Sequence, residues 1–163
     1  MRAANFSLAI ASIFQQWAAP LAGFTSTPAN LTGPFCPGRP ASSLEQKQIF
    51  DIFVQRFLLD KDITALIDHA PEDYLQNNKW VSHGRQAAID FLKPIWDTDL
   101  ESTIIHKLVA DSTAVIHQKI KAPGSNQIFV IADFWRLDGT CIVEHWDVLQ
   151  DYSEDAKNPI AMK

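Results

Sequence analysis

Six apolar residues, Ile49, Phe50, Phe53, Val54, Phe57 and Leu58, recur at helical intervals through SSLEQKQIFDIFVQRFLLDKD. That spacing predicts a first helix, and a serine followed three residues later by Glu45 or Gln46 supplies a capping-box start. Asp62 to His69 reads as a second, short helix. Pro71 in APEDYLQNN breaks it, and a short extended piece follows around Tyr74 to Asn78. Gly84 to Leu92 reads as a third helix, ended by Pro94. From Ser102 the pattern becomes strand-like. STIIHKLVA, TAVIHQKIKA, NQIFVIADFWRL and TCIVEHWDVLQ are four runs separated by turn signals at Ala110-Asp111, Pro123-Gly124 and Asp138-Gly139. Helices first and an antiparallel meander last predict an α+β fold. A long, curved, mostly antiparallel sheet wrapped on N-terminal helices would form a cone-shaped α+β barrel enclosing one pocket, the default place for a ligand.

The residues ahead of the first helix have a different character. Met1 to Ala22 carries Arg2, the apolar run FSLAIASIF and then small residues. It reads either as a signal peptide, placing the protein in the secretory route, or as an N-terminal helix of a cytoplasmic protein. Residues 23–43 hold four prolines and three glycines and read as an irregular arm. The folded domain is expected over 44–151, with a tail over 152–163. Asn30-Leu31-Thr32 is a glycosylation acceptor if the chain is secreted. Cys36 and Cys141 allow one disulfide in an oxidising compartment.

A length of 163 residues suits one domain, and an apolar fraction of 47% can fill a core. The net charge of −5, with no basic run, argues against nucleic acid as a partner. No apolar stretch approaches the roughly 18 residues that cross a bilayer. A small neutral or mildly polar ligand fits these features better.

The chemistry concentrates in DFWRLDGTCIVEHWDVLQ, where Asp133, Arg136, Glu144, His145 and Asp147 occupy both faces of an apolar hairpin. Some of these groups must point inward, and a buried charge is costly unless it is paired or used. A two-residue turn at Asp138-Gly139 sets Asp133 opposite Glu144. A bulged loop sets Asp133 opposite His145, on one face with Asp147. The bulged register is favoured because it gathers two carboxylates and an imidazole. Arg136 and Glu144 are expected as a structural ion pair, buried or partly buried, across the hairpin. His69, His83 and His106 are expected at the surface or at caps. No two histidines have the spacing of metal ligands, so no metal is expected. Nucleophile elbows, phosphate loops and dinucleotide fingerprints are absent from the sequence. Cofactor-free acid-base chemistry remains.

IADFWRL followed by IVEHWDVLQ, with His117 in TAVIHQKI and YLQNN before HGRQAAIDFL, resembles the SnoaL-like proteins. These belong to the superfamily named after nuclear transport factor two (NTF2), and the resemblance extends over residues 44–151. The branch most similar is described as aldol-condensation-catalysing, related to polyketide cyclases and to fungal isomerases and cyclases of secondary metabolism. That branch usually reads Tyr-x-Gln-His-Asn where this chain has Asn77 in the histidine's place.

The resemblance implies a cyclase or isomerase that removes a proton next to a carbonyl and holds the enolate without a cofactor. Such a reaction needs a buried base and a donor aimed at the oxygen that gains charge. Asp133, between Ile131, Ala132, Phe134 and Trp135, is then the base. His117 and His145 donate or relay, and Asp147 orients His145. Tyr74, Trp135 and Trp146 form a flat wall for a polyketide-like substrate, with Asn77 orienting it. A homodimer packed sheet to sheet is also implied. Two other readings stay open: epoxide opening by an activated water, and a pocket that binds without catalysis.

Overall fold

The computed structural model describes residues 31–124, 127–151 and 157. The expected N-terminal segment 1–22, the arm up to residue 30 and the tail from 152, Lys157 apart, lie outside the described residues. The order of elements is helix α1 (Ser43–Val54) running into a π-helical turn (Gln55–Leu59), then α2 (Ala65–His69), strand β1 (Leu75–Gln76) and helix α3 (Arg85–Trp96). Four long strands follow: β2 (Glu101–Ala110), β3 (Thr113–Lys121), β4 (Ile128–Asp138) and β5 (Cys141–Asp151). They form an antiparallel meander, and β1 adds in parallel to β5, giving the order β1-β5-β4-β3-β2. The α+β expectation holds. No described helix is long and apolar enough to cross a membrane.

Helix α1 starts where the capping signal places it, with Ser42 Oγ accepting from the Glu45 N–H at 3.2 Å. Its apolar stripe buries Ile49, Phe50, Phe53 and Val54, the last three in one core cluster with Ile116, Trp135 and Ile142 of the sheet. The buried Gln46 amide reaches the Gly139 carbonyl at 3.0 Å and so ties the helix to the tip of the last hairpin. Pro94 does not end the third helix, which continues to Trp96 with the proline in its last turn. There Pro94 costs a single backbone bond, and Trp96 packs edge-on against Phe57 at 4.1 Å. The first sheet turn is Asp111-Ser112, both left-handed, one residue beyond the expected signal. The last turn is Gly139-Thr140. Glycine is required there twice over: φ is +56°, and a Cβ would lie 2.0 Å from the Arg39 carbonyl oxygen.

That carbonyl belongs to the arm, which is pinned to the hairpin tip. Thr140 Oγ donates to the Phe35 carbonyl at 2.6 Å, and the Thr140 N–H donates to the Arg39 carbonyl at 3.0 Å. Cys36 and Cys141 form a disulfide with Cα atoms 5.0 Å apart. The sequence allowed this pairing without requiring it.

His69 is a core residue, not the surface or cap residue expected. It is fully buried between Phe35 and Phe53, with Nδ1 donating to the Ala65 carbonyl at 2.8 Å and Nε2 unpartnered. Burial drives its pKa down to about 4. The unfolded chain binds this proton near pH 6.5 and the folded chain only near 4. Stability is therefore full above about pH 6.5 and falls with pH down to about 4, by roughly 3 kcal/mol. Urea titrations across that window should show this slope in the wild type and lose most of it in His69→Leu. An equal slope in both would refute the assignment.

Candidate active site

The helices and the inner face of the sheet enclose a cavity of about 290 Å³. Its walls are largely apolar, among them Phe57, Leu92, Trp96, Ile120, Phe129 and Ile131, and most of its polar groups lie on the strands or beside β1, with Lys61 apart from them.

Neither expected hairpin register is the observed one. The turn at Gly139-Thr140 and a bulge between Arg136 and Leu137 set Asp133 opposite Asp147 and Trp135 opposite His145. A shift by two residues preserves facing, so the grouping that favoured the bulged register survives. Asp133, His145 and Asp147 all line the cavity. The first two are only 8% and 9% exposed.

Asp133 Oδ2 accepts from Gln118 Nε2 at 2.6 Å, and Gln118 Oε1 accepts from Ser102 Oγ at 2.6 Å. Asp133 Oδ1 faces His145 Nε2 at 3.1 Å. On its other side, His145 Nδ1 stands 2.9 Å from Gln76 Oε1. That Gln76 atom also receives the Asn78 N–H at 3.1 Å, which identifies it as the oxygen. Nδ1 of His145 must therefore carry hydrogen, leaving Nε2 to share one proton with Asp133 Oδ1. Without that proton, two lone pairs would face each other in a buried site. A carboxylate has lone pairs beyond these two contacts, so Asp133 can still accept a proton from the cavity. Asp147 Oδ2 accepts from Asn78 Nδ2 at 2.6 Å.

Tyr74 is almost completely buried and also lines the cavity. Burial, reinforced by the nearby Asp133 charge, pushes its phenol up against the opposing hydrogen bond with Trp135. Its hydroxyl thus keeps its proton as a potential donor.

Three assignments from the sequence need correction. His117 lies on the outer face of β3, stacked on His106 with the Nδ1 atoms 3.3 Å apart, because its inward neighbours are Ile116 and Gln118. Trp146 is also outside, stacked on Phe134 at 5.7 Å, since β5 turns His145 and Asp147 inward. Asn77 points away from the cavity and bridges Glu144 Oε1 at 3.1 Å and the His145 carbonyl at 3.0 Å. The expected Arg136–Glu144 pair does form across the hairpin, at 2.9 Å, with side chains 44% and 25% exposed. The Arg136 guanidinium and then the Asn77 amide hold the Glu144 carboxyl below the usual carboxylate range.

Gln76, Asn78, Ser102 and Gln118 were missed. Period two carries the signal for three of them: Tyr74, Gln76 and Asn78 share one parity, and Gln118 shares that of Ile116 and Ile120. The donor atoms of Asp133, His145 and Asp147 all lie within 4.8 Å of one another, a spacing that would admit a divalent cation. Each is already engaged, Asp133 by Gln118 and His145, and Asp147 by Asn78.

No family model matches the chain, and no curated protein does. Solved structures do. An NTF2-like protein of unknown function from Mesorhizobium loti is 21% identical, with 69% of this chain and 97% of that one covered at a TM-score of 0.58. A candidate polyketide cyclase from Acidithiobacillus ferrooxidans is 14% identical over 64% of this chain and 87% of that one, TM-score 0.52. An epoxide hydrolase from M. tuberculosis, described as LEH-like, is 13% identical over 66% and 84%, TM-score 0.53. The chain thus has the NTF2-like fold, in agreement with its SnoaL-like resemblance. At these identities the likeness establishes the fold and leaves the reaction to the site.

Proposed function

We propose that the protein is a cofactor-free cyclase or isomerase of a polyketide-like carbonyl compound. The supporting observation is the buried Asp133 carboxylate, held between Gln118 and His145 at the polar end of an apolar cavity. Asp133 takes the proton from the carbon next to the substrate carbonyl, and the electron pair of that C–H bond becomes the enolate. The Tyr74 hydroxyl and the proton shared by His145 are the nearest neutralising groups for the enolate oxygen. The enolate carbon then attacks a second carbonyl to close a ring, or is reprotonated at another position. In either case the proton held by Asp133 returns to the product. The desolvated walls strengthen each of these electrostatic contacts.

A second reading is epoxide opening. The pairing of Asp133 opposite Asp147, with the Asn78 amide on the latter, favours it, because a water held there would have both a base and an orienting amide. Turnover of candidate substrates in deuterated water, and separately in water labelled with heavy oxygen, discriminates between the readings. Deuterium at carbon is the expected result. Label at oxygen alone would move the assignment to hydrolysis, and binding without turnover to a non-catalytic pocket.

We also propose that the outer face of the sheet joins two copies of the chain. One row across it holds Leu108, Val115, Phe134 and Trp146, and the next holds His106, His117, Ala132 and Val148, with Leu108 and Val148 well exposed. Such a face suits an isologous pairing. Light scattering at micromolar concentration should give twice the chain mass, and Trp146→Arg should halve it. A wild-type monomer would overturn the proposal.

A further inference from the structure

Lys61 is the single lysine or arginine among the described residues that line the cavity. It sits at a left-handed position (φ 54°) between the π-helical turn and α2. Its Nζ donates to the Thr98 carbonyl at 2.9 Å and, among the described residues, makes no ion pair. The adjacent acids are engaged elsewhere, Asp60 with Gln55 and Asp62 with Arg56. One of the three ammonium hydrogens is used, so two remain.

The contact with Thr98 fixes the end of the cavity to which Lys61 belongs. Thr98 lies two residues before Leu100, a lining residue where the chain enters β2. In the sheet, Ile120 pairs with Phe129, and both line the cavity toward that end. From Phe129 to Asp133 is four residues along β4, or about 13 Å at strand rise. The cavity therefore has a cation toward one end and carboxylates and an imidazole at the other, and the wall between them is apolar apart from the Ser102–Gln118 pair that leads to Asp133. The contact with Thr98 is exposed, so water also reaches the ammonium, and a ligand carboxylate at that end would take its two remaining hydrogens.

We infer that Lys61 recognises an anionic terminus, so that the substrate is an elongated oxo acid with its carboxylate on Lys61 and its reacting carbonyl region at Asp133. The inference rests on reading the Asp133 end as the reacting end, and it adds the substrate class to that reading. A lysine that only capped the carbonyls after α3 would give the same contact with Thr98, but it would not distinguish an acid from its ester.

The test is a titration of the full chain with decanoic acid and with methyl decanoate at neutral pH. Fluorescence of the lining residues Trp80, Trp96 and Trp135 reports occupancy. The acid should bind about tenfold more tightly, as expected for a charge-assisted hydrogen bond to a partly exposed lysine. Raising the salt concentration should weaken the acid and not the ester. Lys61→Met should bring the acid to the ester's affinity, and Lys61→Arg should keep the preference. If the acid fails to outbind the ester, whether both bind or neither does, the inference is overturned. It is equally overturned if the preference survives in Lys61→Met. Asp133→Asn should keep the preference while losing deuterium incorporation, so failure of the reaction assignment and failure of this one give different results.

Discussion

Asp133→Asn should leave the fold and ligand binding intact while turnover falls by about two to four orders of magnitude, the usual worth of a positioned general base. The hydrogen-bond pattern makes this substitution unusually clean. The new amide oxygen can accept from Gln118 Nε2 in place of Oδ2, and the new amide N–H can donate to His145 Nε2 in place of the shared proton. His145 keeps its hydrogen on Nδ1 for Gln76. Each group that touched Asp133 keeps a partner, while the basicity and the proton shared with His145 are lost. Urea midpoint, ligand affinity and rate should be measured together for Asp133→Asn and Asp147→Asn. Asp147 is the less buried carboxylate and its partner is the Asn78 amide. Its amide variant should therefore cost less in rate. Should Asp147→Asn lose activity while Asp133→Asn keeps most of it, the base is Asp147 and Asp133 only holds His145 in place.

The elements that were legible in the sequence are those specified by local pattern. Helix α1 follows from its apolar spacing and Ser42, and the meander from its alternating runs. Period two placed His145 and Asp147 on one face of β5, but whether Asp133 shared that face depended on the register, and the bulged register was favoured for its chemistry. The register itself was not legible. It depends on the turn at Gly139-Thr140, which is fixed by the Arg39 carbonyl of an arm about 100 residues earlier in the chain. No local pattern carries that contact. His117 and Trp146 were drawn to the pocket by their chemistry against their own strand parity. Asn77 followed the position of a histidine in the SnoaL-like pattern, although Gln76 and Asn78 are the residues of that stretch that face the cavity. His69 was misplaced because a histidine near a helix end is usually solvated. Its burial comes from Phe35 of the arm, another distant contact. For the register and His69 a tertiary contact outweighed a local expectation, whereas for His117, Trp146 and Asn77 strand parity was the better guide.

The same arm carries the second large effect. Replacing both cysteines, Cys36→Ser with Cys141→Ser, should destabilise the protein by about 2 to 5 kcal/mol. The disulfide closes a loop of 105 residues that spans α1 through the β4–β5 turn. In the chain-entropy account, a loop of that order restricts the unfolded state by about 4.7 kcal/mol. Other contacts share in holding the arm: the buried Phe35 ring, the Phe35 and Cys36 N–H groups on the Asp68 carbonyl, the Thr140 hydroxyl and amide with Phe35 and Arg39, and the Arg39–Glu45 ion pair. Cys141 lies four residues before His145 on β5, next to the turn that sets Asp133 against Asp147. Loosening the tip should therefore be felt at the site as well as in global stability. Urea denaturation of the double variant, and of wild type with and without dithiothreitol, measures the first effect. Hydrogen exchange at the Phe35 and Thr140 amides measures the second, with exchange there rising more than at the central strands. A reduced wild type as stable as the oxidised one, within about 1 kcal/mol, would mean that the packing of Phe35 and Thr140 holds the arm by itself. The disulfide would then contribute less than the chain-entropy account requires.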